Sequence, residues 1–223
     1  MAEISIIVAA YLIGSIPTAY IFGRIFRNID IREYGSGNIG ASNVWTHVGK
    51  LTVAPVALFD GFIKGSLPVT CAQILSVDPW ITVSVGLATV VGHNWSIYMK
   101  FTGGRGIIVT GGVLLILSWQ STLVLASVSL IGYLVFRSAG LWVGIAMLML
   151  PPLNVTLSYP NHVVVLSTLL LVIAIIKRLG GNRSNNTIDI SLTRLYYRRL
   201  LFDRDVVSRD EWVKRSPIKD QPQ

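Results

Sequence analysis

Apolar residues occur along this chain in seven long runs, separated by short polar stretches. The runs cover residues 4–23, 51–75, 80–98, 106–120, 121–136, 139–157 and 162–176. A helix of about 20 apolar residues spans a bilayer, and a shorter one spans it when it is kinked or packed against neighbours. The pattern predicts an all-α integral membrane protein with about seven transmembrane helices. The composition agrees, since 52% of residues are hydrophobic and 13% are charged, against roughly a quarter charged in soluble domains.

The basic residues between the runs predict the orientation of the helices, because cytoplasmic loops are enriched in Lys and Arg. With the N-terminus outside, the connections expected inside carry Arg24, Arg27, Arg32, Lys50, Lys100, Arg105 and Arg137. The connections expected outside, near residues 76–79, 119–121 and 151–161, carry no Lys or Arg. We therefore expect a multi-pass protein of a bacterial inner membrane, with its C-terminus and its polar site facing the cytoplasm.

The C-terminal part of the chain differs in composition from the rest, with eleven basic and six acidic residues from Lys177 onward. We expect a polytopic membrane domain over residues 1–182 and a basic cytoplasmic tail over residues 183–223. Residues 188–202 mix Leu and Tyr with Arg, as an amphipathic helix on an anionic lipid surface does. The alternative is a soluble tail that only fixes the topology. Nucleic-acid binding is not expected, because inner-side positive charge already has an explanation.

Two of the polar stretches predicted on the inner side are rich in small residues: SGNIGASNVWTH at 36–47 and GHNWSIYMKFTGGRG at 92–106. Glycines let backbone N–H groups approach an anion closely, and an arginine among them offers a two-pronged donor. Gly103, Gly104, Arg105 and Gly106 therefore resemble a phosphate cradle. A turn between helices is the alternative, since no Walker-type motif is present.

Ionisable residues within the apolar runs supply further candidates. Asp60 and Lys64 are spaced i, i+4 and share a helix face, so they form either a neutralised pair that locks helices or part of a substrate site. His93 is expected to pack or cap a helix, because the sequence shows no acidic partner nearby. The histidines have no metal-site spacing, and the single Cys71 is expected to be a core residue. We expect no metal and no cofactor.

These motifs together resemble the bacterial PlsY family of membrane acyltransferases. Residues 36–43 match its SGNxGAxN motif, Asp60 with Lys64-Gly65 matches DxxKG, and Gly92-His93 followed by Gly103, Gly104 and Gly106 matches its second glycine motif. The resemblance covers about residues 5–183. It implies transfer of a fatty acyl group from acyl phosphate to glycerol 3-phosphate, giving lysophosphatidic acid and phosphate, the first acylation of phospholipid synthesis. It also implies membrane lipids and a soluble acyl-phosphate-producing enzyme as partners.

The resemblance also implies roles for individual residues. Ser36, Asn38 and Arg105 are expected to be catalytic, with the two loop side chains donating hydrogen bonds to a phosphate. Gly37, Gly40 and Ala41 are expected to present backbone N–H groups to it. The remaining expected substrate or phosphate contacts are Asn43, Thr46, Lys64, His93, Gly103, Gly104, Gly106 and Asn182.

The chain departs from the family pattern at three positions. The family arginine after the first motif is Thr46, which offers one neutral hydrogen bond in place of a charged fork. The family lysine of GGKG is Arg105. In the third motif, RHxxN laid on residues 178–182, the histidine is Leu179 and Asn182 is retained. These changes leave two alternatives to the main function: a paralogue with another acceptor or no activity, and a small carrier for anionic lipids or phosphate compounds. The echo of Gly14-Ser15-Ile16-Pro17 in Gly65-Ser66-Leu67-Pro68 favours the carrier.

Overall fold

The computed structural model describes residues 2–181, 191–206 and 208–217, and every regular element in these ranges is helical. Helix α1 covers Ala2–Ser15 and α2 covers Thr18–Arg27, with a break at Ile16 and Pro17. The short α3 covers Ala41–His47. The second apolar run is one helical segment, in which α4 (Val53–Leu58) and α5 (Leu67–Ile74) flank a π-helical stretch over Phe59–Ser66.

The remaining apolar runs each form a helix. Their bounds are Pro79–Asn94 for α6, Ile107–Leu117 for α7, Trp119–Phe136 for α8, Ala139–Thr156 for α9 and Asn161–Gly180 for α10. Two further helices follow in the C-terminal part, α11 over Leu192–Phe202 and α12 over Arg209–Lys214. All seven predicted runs are thus helical, and the all-helical membrane fold is confirmed.

Four helical segments of the described chain are long and apolar enough to cross a membrane: Ala2–Arg27, Trp119–Phe136, Ala139–Thr156 and Asn161–Gly180. The number of crossings and the side of each terminus stay predictions. The helices α5 to α10 enclose an apolar core whose buried members include Val69, Val83, Val109, Leu114, Leu150 and Leu166. Packing in this core fixes the positions of the helices that the polar loops connect.

Helices α1 and α6 approach each other closely because each presents a glycine at the contact. A Cβ atom at Gly14 would overlap the backbone of Thr89, and one at Gly92 would overlap the carbonyl oxygen of Tyr11. Small residues permit such close helix contacts in membranes.

Residues 14–17 and residues 65–68 have similar sequences but different structures. The first stretch breaks a helix, and the second continues one.

Candidate functional site

A cleft of about 610 Å³ lies where the connections between helices meet. Its walls come from the serine loop (residues 36–43), the glycine loop (residues 103–106), the connection between α8 and α9, and residues near the C-terminus. Of the predicted site residues, it is lined by Ser36, Asn38, Gly40, Ala41, Asn43, Thr46, His93, Arg105 and Gly106. Gly37, Lys64, Gly103 and Gly104 belong to the surrounding loops and helix, and Asn182 lies outside the described residues.

The serine loop takes its shape from Asn43. The side-chain Nδ2 of Asn43 donates to the carbonyl oxygens of Ile31 and Tyr34, each at 3.0 Å, and to that of Asn38 at 3.2 Å. The N–H of Gly37 donates to the Tyr34 carbonyl at 2.9 Å. The amide of Asn43 and the N–H of Gly37 are therefore engaged in folding the loop, which differs from the expected contacts to a phosphate.

Ser36 and Asn38 of this loop line the cleft. The backbone N–H of Asn38 donates to Ser36 Oγ at 3.2 Å, which fixes the position of the hydroxyl. Thr46 is exposed one helical turn further on, and its hydroxyl donates to the Ser42 carbonyl at 3.3 Å. Thr46 stands where the family motif has an arginine, and it contributes only a neutral hydroxyl that is hydrogen-bonded within its own helix.

The glycine loop packs against both His93 and the serine loop. The N–H of Gly104 donates to the His93 carbonyl at 3.1 Å, and the Gly103 carbonyl accepts from the N–H of Ile39 at 3.3 Å. A Cβ atom at Gly104 would lie 2.6 Å from the Ile39 carbonyl oxygen and would overlap the His93 ring. The loop therefore needs glycine for this close contact. The N–H of Gly104 is therefore already paired, and Arg105 is the charged group of the loop.

The side chain of Arg105 has a defined orientation within the cleft. Its Nη2 lies 2.8 Å from Asp203 Oδ1, its Nε donates to Asp203 Oδ2 at 3.1 Å, and its Nη1 donates to the Lys177 carbonyl at 2.5 Å. The side chain is 15% exposed. A guanidinium has more N–H donors than these contacts use, so Arg105 is held in place and still presents charge to the cleft.

A buried polar cluster lies behind the glycine loop, where the π-helical stretch meets α1, α2 and α6. Asp60 is 2.5 Å from Lys64 Nζ and accepts a hydrogen bond from the Thr18 hydroxyl at 3.0 Å. The predicted pair is therefore present. His93 Nδ1 lies 3.9 Å from Asp60 and 3.5 Å from Lys64 Nζ. The carboxylate near His93 thus comes from another helix, at a distance beyond a hydrogen bond, and the local sequence does not show it.

Residues near the C-terminus also contribute to the cleft, and the sequence pattern did not predict them. Phe202, Asp203, Arg204, Trp212 and Val213 line it. The predicted amphipathic stretch 188–202 is helical in its described part, as α11, and this helix packs against α9 and α10. The sequence predicts only topological or lipid-binding roles for the tail, whereas its described part contacts the membrane helices and the residues Gly35 and His47 on either side of the serine loop.

Comparisons with known proteins agree with these motifs. The family model for glycerol-3-phosphate acyltransferase matches residues 4–184. Glycerol-3-phosphate acyltransferase 4 of Dehalococcoides mccartyi (strain CBDB1) is 36% identical over 213 residues, covering 93% of this chain and 91% of the relative. Glycerol-3-phosphate acyltransferase 2 of Moorella thermoacetica is 47% identical over 109 residues, covering 49% of this chain and 55% of the relative.

Solved structures show the same relationship. The crystal structure of PlsY (YgiH), an integral membrane glycerol 3-phosphate acyltransferase, in its glycerol 3-phosphate form, matches with a TM-score of 0.71 and 28% sequence identity. The match covers 80% of this chain and 88% of that protein. The lysophosphatidic acid form matches with a TM-score of 0.72. This chain belongs to the PlsY family of integral membrane glycerol-3-phosphate acyltransferases.

Proposed function

We propose that this protein transfers a fatty acyl group from acyl phosphate to glycerol 3-phosphate, releasing lysophosphatidic acid and inorganic phosphate. The observation that carries the proposal is the single cleft that gathers Ser36, Asn38 and Arg105. Hydroxyl, amide and guanidinium donors on one surface suit a phosphate group, and the arginine adds charge. The family membership supports the same acceptor.

The chemistry asks for positioning and charge stabilisation more than for a strong protein nucleophile. Acyl phosphate is a mixed anhydride and is already activated, which is why no cofactor is required. A hydroxyl of glycerol 3-phosphate attacks the acyl carbon, the new ester C–O bond forms, and the bond from that carbon to the phosphate oxygen breaks. The departing phosphate takes the electron pair and accepts the hydroxyl proton. Arg105, Ser36 and Asn38 would stabilise the charge that develops on it.

We further propose that seven segments cross a bacterial inner membrane, with the N-terminus outside and the cleft facing the cytoplasm. The one-sided distribution of Lys and Arg supports this orientation. Glycerol 3-phosphate would then enter from the cytoplasm, and the acyl chain of the donor would lie among the apolar helices. A soluble enzyme that produces acyl phosphate would be the natural supplier of the donor.

One observation favours a second candidate, a paralogue with a different acceptor. Thr46 provides a neutral, exposed hydroxyl where the family motif has an arginine. An acceptor with less phosphate charge would depend less on a cation at that position. This candidate shares the donor chemistry and differs only in the molecule that receives the acyl group.

The deciding experiment uses the full chain, reconstituted in lipid and given palmitoyl phosphate with and without glycerol 3-phosphate. Release of phosphate and formation of lysophosphatidic acid are measured together, with an authentic family member as positive control and protein-free lipid as blank. We expect product that depends on the acceptor. Acyl transfer to another polyol but not to glycerol 3-phosphate would favour the second candidate. Absence of both products from folded protein would contradict the proposed function.

A further inference from the structure

A small cavity lies next to the serine loop and the glycine loop, at the point where α1 ends. Its volume is about 10 Å³, and its lining includes Ser15, Ile39, Lys64, His93, Ser96 and Gly103. Each of these residues is buried. The cavity is too small for a substrate, but it has space for one water molecule.

The helix break at Ile16 and Pro17 accounts for the position of the cavity. Proline has no N–H to continue the helical hydrogen bonds, so α1 ends at Ser15 and the chain turns before α2 begins. Both residues of the break line the cavity. The Ser15 carbonyl oxygen accepts a hydrogen bond from Ser96 Oγ at 2.5 Å. The end of α1 is thus joined to the connection between α6 and α7.

The hydroxyl of Ser15 is a buried polar group that the protein leaves unsatisfied. Ser15 is 1% exposed, and its Oγ makes no hydrogen bond with any described residue. Burial of a hydroxyl without a partner costs free energy. The equally buried Ser167 differs, because its Oγ donates to the Val164 carbonyl at 2.8 Å. Ser15 therefore needs a partner, and the cavity that it lines is the place for one.

Lys64 supplies a charged donor to the same cavity. An ammonium group has three N–H donors. Lys64 Nζ lies 2.5 Å from Asp60 Oδ1 and 3.5 Å from His93 Nδ1, which leaves one donor without a hydrogen-bond acceptor in the described part of the chain. The positive charge of Lys64 disfavours a cation in the cavity. A water oxygen suits the remaining N–H of Lys64, and the same water can bond the Ser15 hydroxyl.

We propose that this cavity binds one water molecule, which links the Ser15 hydroxyl at the end of α1 to the Lys64 ammonium of the buried polar cluster. Buried waters make about three hydrogen bonds, and the Ser96 hydroxyl oxygen, which also lines the cavity, offers a third partner. The water connects α1 and the π-helical stretch behind the two loops of the cleft. The inference goes beyond the proposed function, because it does not depend on the identity of the substrate.

The direct test is a crystal structure of the full chain, grown from lipid and refined at a resolution that shows ordered waters. In the wild type we expect one density peak about 2.7–3.2 Å from both Ser15 Oγ and Lys64 Nζ. In Ser15→Ala this peak should be lost or weakened, because the water loses a partner. An empty cavity in the wild type, or a Ser15 hydroxyl bonded to a protein carbonyl, would overturn the inference. An unchanged peak in Ser15→Ala would overturn the role of Ser15.

Thermal unfolding in lipid gives a second test, in which the two possibilities predict opposite signs. If a water bridges Ser15 and Lys64, Ser15→Ala removes one of its hydrogen bonds and should lower the Tm. If the cavity is dry, the same change removes an unsatisfied hydroxyl and should raise the Tm. Ser167→Ala is the matched control, because it removes a buried hydroxyl that is bonded within its own helix. We expect the Tm of Ser15→Ala to lie about 2–4 °C below that of Ser167→Ala. A Tm equal to or above that of the control would contradict the bridging water.

Discussion

Two ion pairs contribute to the cleft, and they differ in burial and in the parts of the chain they connect. Asp60 and Lys64 belong to one helical segment, and their side chains are 2% and 1% exposed. Asp203 and Arg105 are 98 positions apart, and their side chains are 20% and 15% exposed. Removing one partner of the Asp60–Lys64 pair leaves an unpaired charge in the protein interior, which is costly. Water can solvate the charge that remains when one partner of the Asp203–Arg105 pair is removed. The Asp60–Lys64 pair therefore supports the packing of the helices. The Asp203–Arg105 pair joins the C-terminal part of the chain to the glycine loop.

The largest effect should follow from breaking the buried pair. Lys64→Met leaves the Asp60 carboxylate buried without its cation, which should lower the free energy of unfolding by about 3–5 kcal/mol. Thermal or denaturant unfolding in lipid or mild detergent measures the loss. The double variant Asp60→Asn with Lys64→Met should recover most of the stability, because no unpaired charge remains. Lys50→Met, at an exposed lysine, serves as control. Wild-type stability of Lys64→Met would contradict this role in helix packing.

The next largest effect should follow from removing Arg105. Arg105→Ala loses a charge-assisted contact worth about 1.5–3 kcal/mol, which corresponds to a fall in kcat/KM of about ten- to hundredfold. Arg105→Lys keeps the charge and should retain more activity than Arg105→Ala. Steady-state kinetics with palmitoyl phosphate and glycerol 3-phosphate measure both variants. An unchanged rate for Arg105→Ala would mean that the glycine loop is only a turn between helices.

A smaller effect should follow from weakening the Asp203–Arg105 pair on its carboxylate side. Asp203→Asn removes the charge while Asn still tolerates the left-handed backbone. This ion pair is partly buried, so it should contribute somewhat more than the roughly 1 kcal/mol that an exposed pair reaches. The KM for glycerol 3-phosphate should therefore rise by about five- to tenfold. This variant also separates the proposed phosphate-binding role of Arg105 from its ion pair with Asp203. A lower KM would show that Asp203 competes with substrate for Arg105 and does not position it.

Most of the fold could be predicted from the sequence because membrane helices depend on long local runs of apolar residues. The helix break at Ile16 and Pro17 also has a local cause, since proline lacks the N–H that a continuing helix needs. The π-helical stretch over Phe59–Ser66 was not predicted. It packs closely on α7 through Gly65 and Gly112, so its backbone geometry depends on a neighbour that the local sequence does not show.

The site was predictable where it rests on local motifs and unpredictable where it rests on long-range contacts. The motif residues Ser36, Asn38 and Arg105 do meet in one cleft. The pairing of the Asn43 amide with three backbone carbonyls could not be inferred, because a motif does not show which of its polar groups fold the loop. The sequence does not predict the Arg105–Asp203 pair. Asp203 lies in the C-terminal part of the chain, and membrane topology alone accounts for the basic charge of that part.

The smallest predicted effect concerns the attachment of the C-terminal part of the chain at His47. The His47 ring is half-buried beside the Tyr34 ring, 5.4 Å between centroids, and its Nε2 is 2.9 Å from the Val213 carbonyl. Burial holds the pKa of His47 below its ordinary value of 6.5, although the hydrogen bond to Val213 partly offsets this. The folded protein therefore favours neutral His47, whereas the contact with the Val213 carbonyl by itself favours the protonated ring. Its contribution is complete above about pH 6.5 and is lost as the pH falls from there through the lowered pKa.

His47→Gln keeps a neutral hydrogen-bond donor at this position and removes the titration. We expect the stability of the wild type to fall slightly more than that of His47→Gln between about pH 7.5 and about pH 5.5, as measured by thermal unfolding in lipid. The difference between the two proteins cancels the other groups that titrate in this range, because both proteins share them. Parallel profiles would mean that protonated His47 is accommodated in the folded protein, with the Val213 carbonyl as its acceptor.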